Sequence, residues 1–222
     1  MKKYLIKIKE LGVNNYSNNL SSPFVDRGFV AIVKYNAGNV QSVQYALQRI
    51  GVESVVTDDI DSIQRADKVI FPGVGHAYAA MEYLKEKGLD KIIINLKQPV
   101  LGICLGMQLM CNHSEEGDTA CLGIFDTEIK IFESAVFKVP QVGWNNIYDY
   151  QSVLFAGLDE AAFVYAVHSY YAAVSKNTVA KTDYTLAYSA ALQKDNFYGV
   201  QFHPEKSGLV GETILKNFIQ LT

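Results

Sequence analysis

The segment that most constrains the fold is "QPVLGICLGMQLMCNH", residues 98–113, where an apolar strand passes through Gly-x-Cys-x-Gly into a run of helix formers. A reversal that sharp, with a glycine on each side of its apex, joins a strand to a helix packed back against it. The chain before it is built in the same way. "FVAIVKY" is a buried strand, and "NVQSVQYALQRIG" is an amphipathic helix closed by Gly51. "ESVVT" and "ADKVIFPGVG" supply the second and third strands, and "AYAAMEYLKEKG" a helix stopped by glycine. Strands alternating with helices predict a parallel sheet covered on both faces. After about residue 117, "LGIFDTEIKIF", "KVPQVGWNNI", "AFVYAVHSYYAAVS", "YTLAYSAALQ" and "FYGVQFHPE" are strand-like, and "GLVGETILKNFIQ" closes the chain as a helix. The expected architecture is α/β: a single domain with a mixed, mainly parallel central sheet flanked by helices and a strand-rich C-terminal half.

Composition narrows the class. The 222 residues are 49% hydrophobic and 19% charged, as in soluble globular proteins. A formal net charge of −3 gives no reason to expect nucleic-acid or membrane binding, and no apolar run has the length of a membrane span. No repeat, low-complexity tract or linker divides residues 29–222, which are expected to form one domain. Residues 1–28 differ: lysines alternate with apolar residues in "YLIKIK", a candidate short strand, and an Asn/Ser-rich stretch follows. They are expected to be an N-terminal extension without the features of a secretory signal. Cys104, Cys111 and Cys121 are odd in number and lack metal-ligand spacing, which predicts free thiols in a reducing cytoplasm.

Cys104 stands at the carboxyl end of a strand and immediately before a helix, where open α/β sheets bind ligands. The helix N-terminus favours thiolate, and side chains at Gly102 and Gly106 would crowd the turn. The expected result is an exposed sulfur, with the N–H of Leu105 placed to meet a developing oxyanion. Taken alone, the motif serves a buried structural cysteine equally well. Cys111 and Cys121 are expected to be packing residues. A thiol nucleophile needs an imidazole, itself oriented by a third group. In "GVQFHPEKSG", Glu205 follows His203 by two residues, so a chain extended through Pro204 would put both side chains on one side. His168 has no carboxylate within two residues and is expected to be structural or to line a substrate pocket. His76 is expected to cap the helix after the glycine loop, and His113 to sit at a helix end.

"FPGVG", "GICLGMQ" and "FHPEKS", in that order, resemble the motifs of class-I glutamine amidotransferases with a Cys-His-Glu triad. "YNAGNVQSV", "SEEG", "GWNNI" and "VHSYY" bring the resemblance closer to one branch, the glutaminase subunits of imidazole glycerol phosphate synthase, from about Phe29 to the C-terminus. The resemblance implies a flavodoxin-like glutaminase without a cofactor. Cys104 would attack the side-chain amide of glutamine, His203 would transfer protons, and Glu205 would orient the imidazole. It further implies a second oxyanion donor at Gly73 or Val74, and substrate contacts from Gln108, Glu116, Ser169 and Tyr170. The implied partner is a (β/α)8 cyclase subunit that receives the ammonia in a heterodimer, met by Asn39, Trp144 and Lys206. Gln141 departs from the pattern, which usually carries histidine there. Another class-I glutaminase, such as that of anthranilate synthase, shares the triad logic, whereas a catalytically silent relative would be expected to lack a triad member.

Overall fold

The computed structural model describes residues 28–35 and 38–222. The proposed extension, with its strand in "YLIKIK", lies outside the described residues except for Gly28. The first half runs β1 (Val30–Val33), α1 (Val40–Arg49), β2 (Ser54–Thr57), α2 (Ile60–Arg65), β3 (Lys68–Phe71), α3 (Ala77–Glu86), α4 (Leu89–Ile93), β4 (Val100–Ile103) and α5 (Leu105–Leu109). The second half contains β5 (His113–Ser114), β6 (Thr119–Ala120), β7 (Glu128–Ile131), β8 (Gln141–Asn146), β9 (Phe163–His168), β10 (Tyr170–Ala172), β11 (Thr178–Asp183), β12 (Ala187–Lys194), β13 (Phe197–Val200) and α6 (Gly208–Ile219).

The main sheet has seven strands in the order β11-β12-β13-β4-β3-β1-β2. The five strands from β13 to β2 are parallel, and β12 and β11 add antiparallel at one side, so the sheet is mixed and mainly parallel as expected. Its two faces are filled by alternate residues of the same strands. Ala31, Val33, Val69 and Phe71 pack with α3, α4 and α5, whereas Val30, Ile32, Ile70 and Leu101 pack with α1 and α6. Burial on both faces explains why β1 and β4 are apolar at nearly every position rather than alternating. Among the described residues, a four-stranded sheet, β10-β7-β5-β6, and the antiparallel pair β8–β9 complete the strands.

Several boundaries differ from those expected of the sequence, for identifiable reasons. The helix after Cys104 was expected to continue to His113 but ends at Leu109. The carbonyls of Leu109, Met110 and Cys111 accept from the backbone N–H groups of Leu122, Phe125 and Gly123, so the returning chain caps the helix early. His113 therefore lies on β5, paired with Asp118 at 2.9 Å, rather than at a helix end. "AFVYAVHSYYAAVS" is two strands in different sheets, separated at Ser169. Helix α2, not expected from the sequence, is capped by Asp59, whose carboxylate accepts from the Ser62 N–H at 2.8 Å. Strand β11 was also not foreseen, because as an edge strand it buries only alternate small or polar residues, Ala180 and Thr182.

The glycines at the reversal answer to contact. A Cβ on Gly106 would lie 1.7 Å from the Phe71 carbonyl oxygen, and one on Gly102 would lie 2.8 Å from the Met107 backbone nitrogen. Helix α5 thus starts in backbone contact with the end of β3. Gly106→Ala is expected to destabilise the protein by about 3 kcal/mol or more, because neither backbone can give way. Urea unfolding checks this; a loss within ~0.5 kcal/mol, typical of surface changes, would contradict the contact.

Candidate active site

Cys104 sits at the reversal with φ 52° and ψ −109°, outside the conformations comfortable for a side-chain-bearing residue. Its backbone is held from both sides: Cys104 N–H donates to the Val200 carbonyl of β13 (2.8 Å), and the Gln108 N–H donates to the Cys104 carbonyl (3.1 Å). The side chain is more enclosed than expected, with the residue only 6% exposed. Sγ lies 3.6 Å from Gln201 Nε2 and 3.9 Å from the Val167 carbonyl. With only five residues, α5 lends a weaker dipole than a long helix would.

His203 and Glu205 follow β13. The chain is extended at His203 but enters a 3-10 turn over Pro204–Lys206, so it does not run extended through Pro204 as anticipated. Proline at the first position of a helical turn is favoured, and it also keeps the preceding residue extended. The two side chains meet across the turn: His203 Nδ1 donates to Glu205 Oε1 at 2.8 Å, with both side chains almost fully buried. The turn is tied to the β8–β9 pair by His203 N–H to the Tyr165 carbonyl (2.9 Å) and Tyr165 N–H to Ser207 Oγ (2.9 Å). Asn39, expected at a partner surface, is turned inward and donates from Nδ2 to the same Oε1 of Glu205.

His203 Nε2 is buried without a hydrogen-bond partner among the described residues. Burial disfavours charge on this ring, but Cys104 and Glu205 outweigh it and raise the pKa to about 10. That coupling joins the sulfur electrostatically to the imidazole, although no well-formed hydrogen bond links them. His168 has the opposite environment. Burial lowers its pKa to about 4, Nδ1–H donates to the Tyr170 carbonyl (2.8 Å), and Nε2 lies 3.2 Å from the Tyr188 hydroxyl. It is a neutral structural histidine. Burial raises the Cys111 thiol far above its ordinary pKa and Cys121 to about 12, in keeping with packing roles.

The loop expected to furnish an oxyanion donor is turned the other way. Leu105 N–H donates to the Gly73 carbonyl at 3.3 Å, so the Gly73–Val74 peptide presents oxygen, not N–H, to that group. Both neighbouring carbonyls are engaged as well: Pro72 accepts from the Tyr35 hydroxyl, and Val74 from Gly38 N–H at 3.1 Å. The oxyanion hole anticipated from Leu105 with Gly73 or Val74 is therefore closed.

The remaining expected site residues divide. Gln108 is buried, and its Nε2 donates to the Tyr170 carbonyl and to Gln201 Oε1, both at 3.0 Å. Glu116 uses Oε2 to accept from Ala77 N–H (2.7 Å), capping α3. His76 occupies the cap position of that helix but makes no capping bond, contrary to expectation. Glu116 also raises the pKa of the Tyr170 hydroxyl after burial, so the two are neighbours. Ser169 is the bend between β9 and β10, its carbonyl accepting from Phe132 N–H at 3.0 Å. Trp144 is 58% exposed on β8, edge-on to Tyr165 at 5.8 Å, and Lys206 is exposed beside Glu205. Gln141 is buried on β8, its Oε1 accepting from the Tyr188 hydroxyl at 2.8 Å.

A cysteine, an imidazole and a carboxylate gathered at the carboxyl ends of parallel strands have the chemistry of a thiol-nucleophile enzyme. The chain belongs to the class-I glutamine amidotransferase family, whose model matches residues 31–221. It is 60% identical to the Bacteroides fragilis imidazole glycerol phosphate synthase subunit HisH over 194 residues, covering 86% of this chain and 99% of that protein. The subunits of the same name from Bacteroides thetaiotaomicron and Shewanella loihica are 59% and 47% identical, covering 86% of this chain and 99% and 89% of theirs. The fold is shared with a glutamine amidotransferase of Thermotoga maritima whose crystal structure is known: TM-score 0.60, 16% identity, 87% of this chain and 81% of that one.

The two histidines are expected to titrate at opposite extremes. His203 should hold its proton through neutral pH and lose it near pH 10, whereas His168 should stay neutral down to about pH 4. The stabilising contribution of His203 is then present in full below its ordinary pKa of 6.5 and is lost as pH rises through about 10. His168 acts oppositely: below 6.5 the unfolded chain takes up the proton first, so stability falls as pH drops towards 4. Histidine NMR titration, with urea unfolding at matched pH, measures both effects. Two midpoints near 6.5 would contradict these environments.

Proposed function

We propose that the protein hydrolyses glutamine to glutamate and ammonia through a thioester on Cys104. The observation that carries this reading is the buried Glu205–His203 pair, coupled to the sulfur of a cysteine at a strained reversal. An imidazolium beside the sulfur favours thiolate and holds a proton ready for the leaving nitrogen. The thiolate attacks the glutamine side-chain amide carbon, giving a tetrahedral oxyanion. As the C–N bond breaks, His203 passes its proton to the departing nitrogen, which leaves as ammonia. The neutral imidazole then takes a proton from water as that water attacks the thioester carbon. Collapse of the second oxyanion releases glutamate, and the sulfur leaves as thiolate. Glu205, steadied by Asn39, fixes the ring and balances its charge.

In the resting loop, Leu105 N–H is occupied by the Gly73 carbonyl, so stabilising either oxyanion requires the Gly73–Val74 peptide to turn. Losing one oxyanion donor typically costs about 10²–10³ in turnover, which makes a low resting rate the natural consequence. The names of the relatives support a subunit of imidazole glycerol phosphate synthase that delivers its ammonia to a (β/α)8 cyclase subunit in histidine biosynthesis. Ammonia released into bulk water would be protonated and lost, so direct delivery has a chemical purpose. The exposed Trp144 and Val142 on the strand pair that buttresses the His203 turn, together with exposed Lys206, suit such a partner. Gln108 and Glu116, with the backbone at Ser169 and Tyr170, are the residues we assign to glutamine.

Cys104→Ala is expected to abolish glutamate release while leaving the fold and partner binding intact; unchanged turnover would refute the nucleophile. Co-expression with a cyclase partner and its ligand should raise glutaminase turnover by about 10²-fold or more if docking turns the loop. Equal rates with and without the partner would refute that part of the reading.

A further inference from the structure

Gln201 takes no part in the steps above, yet it is a near neighbour of the reacting sulfur. It follows β13 directly, two residues before His203, and is 1% exposed. Its backbone N–H is bound to the Ala190 carbonyl at 2.9 Å, so the side chain springs from a fixed point. Nε2 lies 3.6 Å from Cys104 Sγ, and Oε1 accepts from Gln108 Nε2 at 3.0 Å.

A carboxamide can be turned end for end with little change of shape, so its polarity has to be fixed by a group that cannot reverse. Here that group is the backbone carbonyl of Tyr170, which only accepts. It takes a hydrogen from Gln108 Nε2 (3.0 Å) and another from His168 Nδ1 (2.8 Å), using both its lone pairs. Gln108 must therefore direct its NH2 inward, and that NH2 spends both hydrogens, one on Tyr170 and one on Gln201. Gln201 must then face Gln108 with oxygen and face the sulfur with N–H. Reversing either amide would set oxygen against oxygen or nitrogen against nitrogen. The polarity is thus transmitted from an immobile carbonyl through two amides to Sγ.

We propose that Gln201 is a further catalytic residue, donating an Nε2–H to Cys104 Sγ and stabilising the thiolate, with Gln108 as the positioning residue that holds it. The proposal rests on the reading of Cys104 as nucleophile. It adds a neutral donor that stays on the sulfur whichever proton His203 holds, both as the thiolate forms and as it leaves the second tetrahedral intermediate. It also leaves Gln108 with only Oε1 to offer a substrate, so Gln108 meets glutamine as an acceptor. The other titratable groups coupled to the sulfur are His203, Tyr35 and Tyr188. Both tyrosines are held neutral by burial well beyond the range of the test.

The test is the pH profile of Cys104 alkylation by iodoacetamide in the full chain, read at the Cys104 peptide by mass spectrometry. Gln201→Met keeps length but removes the donor, and should lower the rate at pH 7 about tenfold while moving the midpoint upward. Gln201→Glu keeps the shape and the acceptor for Gln108 but sets an anion on the sulfur, so its shift should be larger. Should either variant fail to fold, the unsubstituted protein still decides the matter. Its Gln201 side-chain NH2 signals, followed by NMR, should move with the midpoint of Cys104 and lose that movement in Cys104→Ala. An unshifted alkylation midpoint in the folded variants, or NH2 signals indifferent to the Cys104 titration, would overturn the proposal. Neither readout uses glutamine, so failure of the glutaminase reading would show in glutamate release instead.

Discussion

The structure depends on how closely the start of α5 approaches the end of β3. Gly106 rests against the Phe71 carbonyl with no room for a methyl group, and that contact forces the chain to reverse within one residue of β4. The residue at the apex is Cys104, and its positive φ is the conformational cost of the reversal, of order 1–3 kcal/mol. Hydrogen bonds to β13 on one side and into α5 on the other hold it there. Because β13 lies next to β4 in the sheet, the turn that follows β13 brings His203 and Gln201 to the same sulfur. Sheet order thus turns almost a hundred residues of sequence separation into one site.

Burial alone does not determine charge in this interior. His203 and His168 are both buried, yet one is driven to hold its proton and the other to shed it. The difference lies in their partners. His203 has the Glu205 carboxylate on its ring and the Cys104 sulfur acting on it electrostatically, whereas His168 meets only an uncharged carbonyl and phenol. The cysteines differ in surroundings too: burial pushes the Cys111 and Cys121 thiols up, the latter despite Lys85, whereas Cys104 has the Gln201 amide donor beside its sulfur. The loop at Gly73 adds a conformational restraint, since three successive carbonyls have donors and that of Gly73 occupies the Leu105 N–H.

Much of this was legible in the sequence, and the limits have physical causes. Doubly buried strands announced themselves as apolar runs, and the two glycines around Cys104 signalled a reversal that tolerates no side chain. His203 and Glu205 were legible as a pair from their spacing, although the chain turns at Pro204 where an extended path was expected. The early end of α5 was invisible because the groups that cap it come from residues 122–125. Asn39 was implied at a partner interface by resemblance, and its bond to Glu205 had no signal because folding alone brings the two residues together. Gln201 stands inside a quoted motif, but the polarity of its amide derives from a backbone carbonyl on β10 that no side-chain pattern encodes. The orientation of the Gly73–Val74 peptide is likewise a backbone property without a sequence signature.

The central claim is that one thiol of three is made nucleophilic by His203 inside a pocket that accepts glutamine. Incubation with a chloroketone analogue of glutamine, followed by peptide mapping, tests it directly. A single adduct on Cys104, prevented by excess glutamine and abolished in His203→Ala, is the expected result. Equal labelling of Cys111 or Cys121, or labelling of Cys104 that neither glutamine nor the loss of His203 affects, would contradict it.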